Sequence, residues 1–202
     1  VNIVGGGLAG SEGALQLAKR GIKVNLYEMR PKKSTGAHVS GDFAEFVCSN
    51  SLGSFDVTNA SGLLKKEMEL LGGELIKIAY DCSVPAGNAL AIDRTLFSRT
   101  VTEKIRSNEN ITVIEGEVEK IPEGYTIMAS GPLTSDILSK DIQQFTEEEH
   151  LHFFDAIAPI IEKDSINFDI AFYASRYDKG EASYINCPMN KEQYEKFYEF
   201  LI

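Results

Sequence analysis

A chain of 202 residues, 43% of them hydrophobic, can form one large domain, or one domain and part of a second. Its formal net charge of −10 disfavours unspecific binding to nucleic acid, so such a partner would have to meet local basic patches such as 30–33 or Lys65 and Lys66. No apolar run approaches the roughly 18 residues of a membrane span, and no signal peptide is recognisable. The three cysteines lack metal-ligand spacing, so we expect a cytoplasmic protein with reduced thiols and neither a membrane nor a metal partner.

The first predicted element is a strand that leads directly into a glycine-rich turn. Apolar residues within 1–4 predict a buried strand, and the motif G-x-G-x-x-G follows at Gly5, Gly7 and Gly10. In this motif the first glycine permits a tight turn, the second lets the backbone approach a pyrophosphate, and the third lets helix and strand pack closely. The free N–H groups of the helix that begins here favour phosphate groups.

The next helix and strand supply the context that the motif requires. Apolar residues at helical spacing predict a helix that stops at Gly21, and a second strand is predicted over 23–27. Glu28 ends that strand, where a carboxylate suits a ribose diol and would repel a 2′-phosphate, so FAD or NAD fits better than NADP. The predicted nucleotide-binding residues are Gly5, Gly6, Gly7, Leu8, Ala9, Gly10 and Glu28.

Loops, helices and short strands alternate through the middle of the chain. Turn-forming residues predict loops at 29–42 and 49–54, and Asn59 or Ser61 can cap a helix that ends at 72–73. The elements predicted next are a turn at 83–87, a strand at 89–92, a helix at 94–107 capped by Asp93, and strands at 111–114 and 125–129.

The rest of the chain contains a second glycine turn and then a different sequence pattern. Ser130 and Gly131 follow a strand, where the backbone can again approach a ligand, and a helix is predicted over 134–145. Strands are predicted at 153–158 and 182–186, around a charged stretch at 175–180. The final helix is predicted to begin with a capping box of Asn190 and Gln193 and to carry Tyr194, Phe197, Tyr198 and Leu201 on one side.

Eight short sequence motifs distributed over the chain point to one known family. They are GGGLAGSE at 5–12, LYEMRP at 26–31, VCSNSLGS at 47–54, VPAG at 84–87, DR at 93–94, ASGPLTS at 129–135, ASRYDKG at 174–180 and NCPM at 186–189. Together they resemble the folate- and FAD-dependent tRNA uracil-5-methyltransferase family, TrmFO, and match roughly the N-terminal half of a member. Several of these strings are specific to that family.

The resemblance implies an enzyme that methylates C5 of a T-loop uridine in tRNA. Methylenetetrahydrofolate would supply the carbon, and FAD, reduced by NAD(P)H, would supply the electrons. It also implies a Rossmann-like, glutathione-reductase-like α/β FAD-binding domain over 1–150 and the start of an inserted α+β substrate domain over 151–202. Because the chain lacks an initiator Met and ends within a helical pattern, we expect a piece of a longer protein that is inactive alone.

The resemblance also assigns site residues. Residues 5–10 and Glu28 match the FAD-binding unit, Ser130 and Gly131 match the later glycine turn of flavoproteins, and Cys48 matches one of two cysteines that the family uses in chemistry. A thiolate can add to uracil C6, and a base must later remove the C5 proton. Which of these roles belongs to Cys48 stays open.

Other polar residues carry weaker expectations. Cys187 is expected to be structural and Cys82 to fill space, and the second reactive cysteine is expected beyond residue 202. A substrate role is considered for Arg176, Asp178 and Lys179 in the charged stretch. No metal is proposed, since His38, His150 and His152 lack metal-ligand spacing.

Three alternative functions remain open at the level of sequence. The nearest is the sister FAD family that adds carboxymethylaminomethyl groups to the tRNA wobble uridine. It carries a Cys-Asn-Pro type string where this chain has Cys48 followed by Ser49, which favours the methyltransferase. The others are a small-molecule flavin oxidoreductase and a non-catalytic fragment that only holds a nucleotide.

Overall fold

The computed structural model describes residues 1–47, 49–147, 161–175 and 181–201, and these fall into two compact units. The first unit takes in the described residues of Val1–Val84 and Leu90–Ala158. The second takes in those of Pro85–Ala89 and Pro159–Ile202. Within the described parts of the chain, no helix is long and apolar enough to cross a membrane.

The strands and helices are numbered in chain order. The strands are β1 (Asn2–Val4), β2 (Val24–Glu28), β3 (Ser51–Ser54), β4 (Ser83–Val84), β5 (Ala89–Ile92), β6 (Ile111–Glu115), β7 (Thr126–Met128), β8 (Phe172–Ala174) and β9 (Tyr184–Asn186). The helices are α1 (Leu8–Lys19), α2 (Ala60–Leu70), α3 (Glu74–Asp81), α4 (Arg94–Arg106), α5 (Asp136–Thr146) and α6 (Lys191–Leu201).

The first unit is built on a four-stranded parallel sheet in the order β6-β2-β1-β7. Helices α1, α3 and α4 pack against one another, and α1 and α4 also contact strands of this sheet. Their apolar faces and the inner strands form the core, in which Ile3, Leu26, Phe97 and Val101 are fully buried. The predicted Rossmann-like α/β fold is confirmed.

The register of the sheet aligns the carboxyl ends of its strands. Val4 lies opposite Tyr27 in one neighbouring strand and Met128 in the other, and Glu28 lies opposite Glu115. The chain segments that leave these strands therefore emerge along one edge. In open α/β sheets this edge is where ligands bind.

A second, three-stranded sheet corrects two predictions. The segment at 49–54, predicted as a loop, contains β3, and the segment at 83–87, predicted as a turn, begins with β4. Both strands flank β5, and β4 pairs with it in antiparallel fashion. Small polar residues and a glycine at 49–54 suggested a loop, but Leu52 packs against the core and the backbone of Asn50 accepts a hydrogen bond from that of Ile92.

The helices of the first unit largely follow their local signals. Asp93 caps α4 as predicted, because its carboxylate accepts a 2.9 Å hydrogen bond from the N–H of Leu96. Asn59 holds the N-cap position of α2, but its side chain donates to Ser54 Oγ (3.3 Å) instead of capping the helix. Helix α3 was not predicted, since it begins at Glu74 directly after the glycines that end α2.

The second unit contains a short hairpin and a final helix. The predicted strand at 182–186 is confirmed as β9, and it pairs with β8, which the sequence did not predict. The predicted strand at 153–158 lies outside the described residues. The predicted capping box is confirmed, because the N–H of Asn190 donates to Gln193 Oε1 and the N–H of Gln193 donates to Asn190 Oδ1, both at 2.9 Å.

Candidate nucleotide-binding site

Steric limits explain two of the glycines in the turn between β1 and α1. Gly5 has a φ of +105°, and a Cβ there would lie 2.5 Å from the carbonyl oxygen of Ala129. A Cβ on Gly10 would collide with the carbonyl oxygen of Gly5, so the first turn of α1 approaches the strand end only because residue 10 is glycine. These positions are therefore needed to build the turn.

Gly7 differs from the other two glycines of the motif. It is the N-cap residue of α1, with an extended backbone and no side chain to cap the helix. Nothing lies within 4 Å of where its Cβ would stand. The space above the helix N-terminus is therefore open to a ligand, and phosphate groups are favoured there.

All four parallel strands contribute their carboxyl-terminal segments to one cavity of about 280 Å³. The segments are Gly5–Ala9 after β1, Glu28–Arg30 from the last residue of β2 onward, Gly116–Val118 after β6 and Ala129–Leu133 after β7. The cavity thus brings together every predicted nucleotide-binding residue except Gly10, which packs against Gly5 beneath it.

Glu28 forms the polar wall of the cavity. Its Oε2 accepts hydrogen bonds from the N–H of Gly6 (2.8 Å) and from Arg30 Nη2 (3.2 Å), while Oε1 accepts from Arg30 Nε (3.0 Å). Burial would raise the pKa of Glu28, but the hydrogen bonds and charge of Arg30 and the Gly6 N–H outweigh burial and lower the pKa below its ordinary value. The carboxylate is therefore held in its ionised form.

Arg30 and Glu45 extend this wall and were not predicted as site residues. Arg30 Nη1 donates to Glu45 Oε2 at 3.2 Å, and both side chains also line the cavity. The sequence offered a weak signal, namely an arginine two residues after the strand-ending Glu28. Glu45 could not be found from sequence, because a turn-rich segment separates it from Arg30.

The second glycine turn lies on the opposite side of the cavity. Gly131, with a φ of +63°, begins a short 3₁₀ turn, and the Thr134 hydroxyl lies 2.7 Å from both Ser130 Oγ and the carbonyl oxygen of Gly131. These two contacts of the hydroxyl stabilise the turn, which lies beside Gly5. The close approach of the two turns accounts for the glycine at position 5, whereas Gly131 is favoured by its positive φ.

A third glycine turn was missed by the sequence reasoning. Gly116 follows β6 with a φ of +147°, and its N–H donates to the backbone oxygen of Glu28 at 2.8 Å. Glu117 lies next to it on the cavity wall, where hydrogen bonds from Lys33 and Ser135 lower its pKa. The available signal was a glycine directly after a predicted strand, as at Gly5.

Cys48 lies outside the described residues, but its neighbours are well anchored. Val47 lines the cavity, and Phe46 packs edge-on against Phe97 with ring centroids 5.3 Å apart. On the other side, Asn50 Nδ2 donates to the carbonyl oxygen of Ile92 at 3.3 Å. Val47 therefore lies at the cavity, and Asn50 lies at the second sheet.

The other predicted side chains have separate positions. Cys82 is buried in the core, where burial raises the pKa of its thiol, and Cys187 is exposed. The residues Arg176, Asp178, Lys179, His150 and His152 lie outside the described parts of the chain. Among the described residues, no three His, Cys, Asp or Glu side chains are grouped so that they could hold a metal ion.

A second cavity of about 440 Å³ shares Leu8 and Ala9 with the first. Its walls are mainly apolar, from α2, α3 and Leu52, with Lys65 as a buried cation. Lys65 Nζ donates to the carbonyl oxygens of Ser54 and Ser61 (both 2.9 Å) and to Ser61 Oγ (2.7 Å). Burial lowers the pKa of Lys65.

A parallel sheet with a glycine turn after its first strand and an acidic residue ending the next one defines the class of Rossmann-like nucleotide-binding folds. The chain belongs to the family Glucose inhibited division protein A, whose family model matches residues 1–202.

Curated relatives agree with the resemblance to TrmFO that the motifs indicate, which is thereby confirmed. Proteins named methylenetetrahydrofolate--tRNA-(uracil-5-)-methyltransferase TrmFO are 58% identical in Bacillus pumilus, 59% in Lactobacillus acidophilus and 56% in Bacillus subtilis. Each match covers 100% of this chain and 46% of the relative, so the chain spans about half the length of the curated relatives it matches.

A solved structure, that of Aquifex aeolicus GidA in the form II crystal, shows a more distant likeness. It aligns with 61% of this chain and 20% of its own chain, at 20% sequence identity. The TM-score of 0.48 is too low for the alignment to support a further conclusion.

Proposed function

We propose that the chain supplies the FAD-binding part of a tRNA methyltransferase that forms 5-methyluridine in the T-loop. Methylenetetrahydrofolate would be the carbon donor, and NAD(P)H would reduce the flavin. The observation that carries this proposal is the 54–59% identity, over the whole of this chain, to relatives whose names state that activity. Such an enzyme would work in the cytoplasm, where tRNA is its substrate.

The geometry of the cavity supports FAD as the cofactor. The open space above Gly7 and the α1 N-terminus suits a pyrophosphate, and the ionised Glu28 suits the ribose of the adenosine half. Ser130 and Gly131 offer close backbone approach on the other side. Since the chain has a single glycine fingerprint, we propose that NAD(P)H docks transiently.

The domain assignment belongs to the same proposal. Residues 1–150 would form the FAD-binding domain, and residues 151–202 would begin the domain that contacts the substrate. The net charge of −10 implies that tRNA meets local basic surface instead of the chain as a whole.

Cys48 is the proposed chemical residue of this chain. Bound FAD, once reduced, would supply the electrons for the transferred carbon. As a thiolate, Cys48 would either add to uracil C6, which makes C5 nucleophilic, or accept the proton that leaves C5 and become a thiol. Val47 on the cavity wall supports this role, because it brings the preceding backbone to the proposed cofactor site.

The test uses the complete protein, of the length of the curated relatives. It is incubated with unmodified tRNA, labelled methylenetetrahydrofolate, FAD and NADPH, and the tRNA is digested and analysed for modified nucleosides. We expect labelled 5-methyluridine at the T-loop. Label at the wobble uridine would favour the sister family, and flavin turnover without tRNA binding in a gel-shift assay would favour a small-molecule oxidoreductase.

A further inference from the structure

The carboxylate of Glu28 has no acceptor site left for a ribose. An ionised carboxylate offers about four lone-pair positions. Oε2 accepts from Gly6 N and Arg30 Nη2, and Oε1 accepts from both the backbone N–H and Nε of Arg30, each at 3.0 Å. A ribose diol can therefore bind Glu28 only if one of these four hydrogen bonds is given up, and three of the four come from Arg30.

Arg30 has a second carboxylate within reach. The side chains of Arg30, Glu28 and Glu45 are 2%, 7% and 8% exposed, and Arg30 Nη1 already donates to Glu45 Oε2. A buried guanidinium that loses one partner must find another acceptor, because an unsatisfied buried charge is costly. An N–H group of Arg30 that is displaced from Glu28 would accordingly turn to Glu45.

Glu45 in turn holds a stretch of backbone in place. Its Oε1 accepts from the N–H of Val39 (2.9 Å), and its Oε2 accepts from the N–H (3.2 Å) and the hydroxyl (2.7 Å) of Ser40. Val39 is 95% exposed, so apolar packing of its side chain does not fix this backbone. Because Oε2 already accepts from Ser40 twice and from Arg30 once, a further or stronger hydrogen bond from Arg30 at this oxygen competes directly with Ser40.

Glu45 is also tied to the glycine turn itself. Its neighbour Ala44 adopts a φ of +53° and donates its N–H to the carbonyl oxygen of Gly6 at 2.8 Å. The same Gly6 donates its own N–H to Glu28. The backbone on both sides of the arginine is therefore fixed, and the side chain of Arg30 is the adjustable link between the two acids.

We infer that Arg30 is a positioning residue that couples nucleotide binding at Glu28 to the 39–40 backbone through Glu45. The inference rests on the proposed binding of FAD. When the ribose hydroxyls donate to Glu28, the released N–H group of Arg30 donates to Glu45, and Glu45 relaxes its hold on Ser40. No covalent step is involved, and the exchange conserves the number of charged hydrogen bonds.

The experiment is a double-mutant cycle on the complete protein, with FAD affinity measured by flavin fluorescence after removal of bound cofactor. Glu45→Gln is expected to weaken FAD binding about tenfold, because the released arginine loses its charged acceptor. In an Arg30→Met background the same change is expected to alter affinity less than threefold. Arg30→Lys is the second variant if Arg30→Met does not fold, since an ammonium cannot bridge both acids in the same geometry.

Two controls separate coupling from a general loss of structure. Lys32→Met removes an exposed positive charge from the same segment. In the double variant, the fold-changes in FAD affinity caused by Lys32→Met and by Glu45→Gln are expected to multiply. Melting temperatures of all variants report folding. Hydrogen exchange adds an independent readout, because saturating FAD is expected to raise the exchange rate of the Ser40 amide at least threefold in the wild-type protein and not in Arg30→Lys.

The outcomes distinguish the inference from the function on which it rests. Wild-type protein that binds no FAD would refute the proposed function and this inference with it. Normal FAD binding together with multiplicative effects of the Arg30 and Glu45 changes would overturn the coupling alone. An identical FAD response of the Ser40 amide in wild type and Arg30→Lys would show that the nucleotide merely covers that segment, and would also overturn it.

Discussion

Glu12 in α1 accepts a 2.7 Å hydrogen bond at Oε2 from the backbone N–H of Leu75, in the first turn of α3. The same carboxylate accepts from the N–H of Glu74, at 2.9 Å to Oε1 and 3.1 Å to Oε2, while the N-cap residue Gly73 has no side chain. A side chain from one helix thus caps the next, and the negative charge lies at the positive end of the helix dipole.

The first prediction concerns this cap. Replacing Glu12 by Ala is expected to lower the free energy of unfolding by about 1 kcal/mol, in the range measured for lost N-caps. Urea unfolding followed by circular dichroism gives the value. Glu67→Ala is the matched control, because Glu67 is exposed on α2 and its loss should change stability by less than about 0.5 kcal/mol. Equal stability of Glu12→Ala and wild type would show that water satisfies these helix N–H groups as well as the carboxylate does.

Local signals in the sequence predicted what local chemistry determines. The glycine turn after β1, the Asp93 cap and the capping box at 190–193 were predicted, because their hydrogen bonds and steric limits involve residues a few positions apart. Glu28 at the end of β2 was predicted because strand length and motif spacing place it there.

Features that depend on distant partners could not be predicted. Strand β3 exists because a distant strand, β5, pairs with it, and the start of α3 is capped by a residue more than sixty positions earlier. The contact between Arg30 and Glu45 requires the intervening turns to bring the two together. In each case the stabilising contact is tertiary, so it cannot be predicted from local propensity or periodicity.

Acid stability provides the second prediction. Glu74 accepts hydrogen bonds from Lys104 (2.6 Å) and Lys19 (2.8 Å), which together outweigh burial and lower its pKa from 4.5 to about 2. Because the folded-state pKa is the lower one, this stabilisation is present above pH 4.5 and is lost as the pH falls toward 2. Glu74→Gln should cost about 1–3 kcal/mol at pH 7.

The pH dependence separates this ion-pair effect from packing. The difference in unfolding free energy between wild type and Glu74→Gln is expected to shrink steadily between pH 4.5 and pH 2. Glu103→Gln, at an exposed position of α4, should leave the profile unchanged. A difference that stays constant down to pH 2 would mean that shape and not charge makes Glu74 stabilising.

The third prediction contrasts two glycines of one motif. Gly10→Ala should destabilise the fold by about 1–3 kcal/mol through overpacking, because its Cβ meets the backbone of Gly5. Gly7→Ala should leave stability within about 0.5 kcal/mol, since its Cβ enters open space. The same methyl group should weaken FAD binding at least about tenfold by blocking the approach of the pyrophosphate. Wild-type FAD affinity in Gly7→Ala would show that the pyrophosphate does not bind at this position.

The fourth prediction concerns Cys48, the residue that follows Val47 of the cavity wall in the sequence. In the complete protein, Cys48→Ala is expected to retain its fold and its yellow flavin, since the anchoring contacts of Phe46 and Asn50 do not involve the thiol. Formation of 5-methyluridine should fall by orders of magnitude, as expected when a group that forms an intermediate or moves a proton is removed. The matched control is Cys187→Ala, which removes an exposed thiol and should keep full activity. Single-turnover assays with labelled methylenetetrahydrofolate measure the step directly. Wild-type turnover in Cys48→Ala would reduce this cysteine to a packing residue.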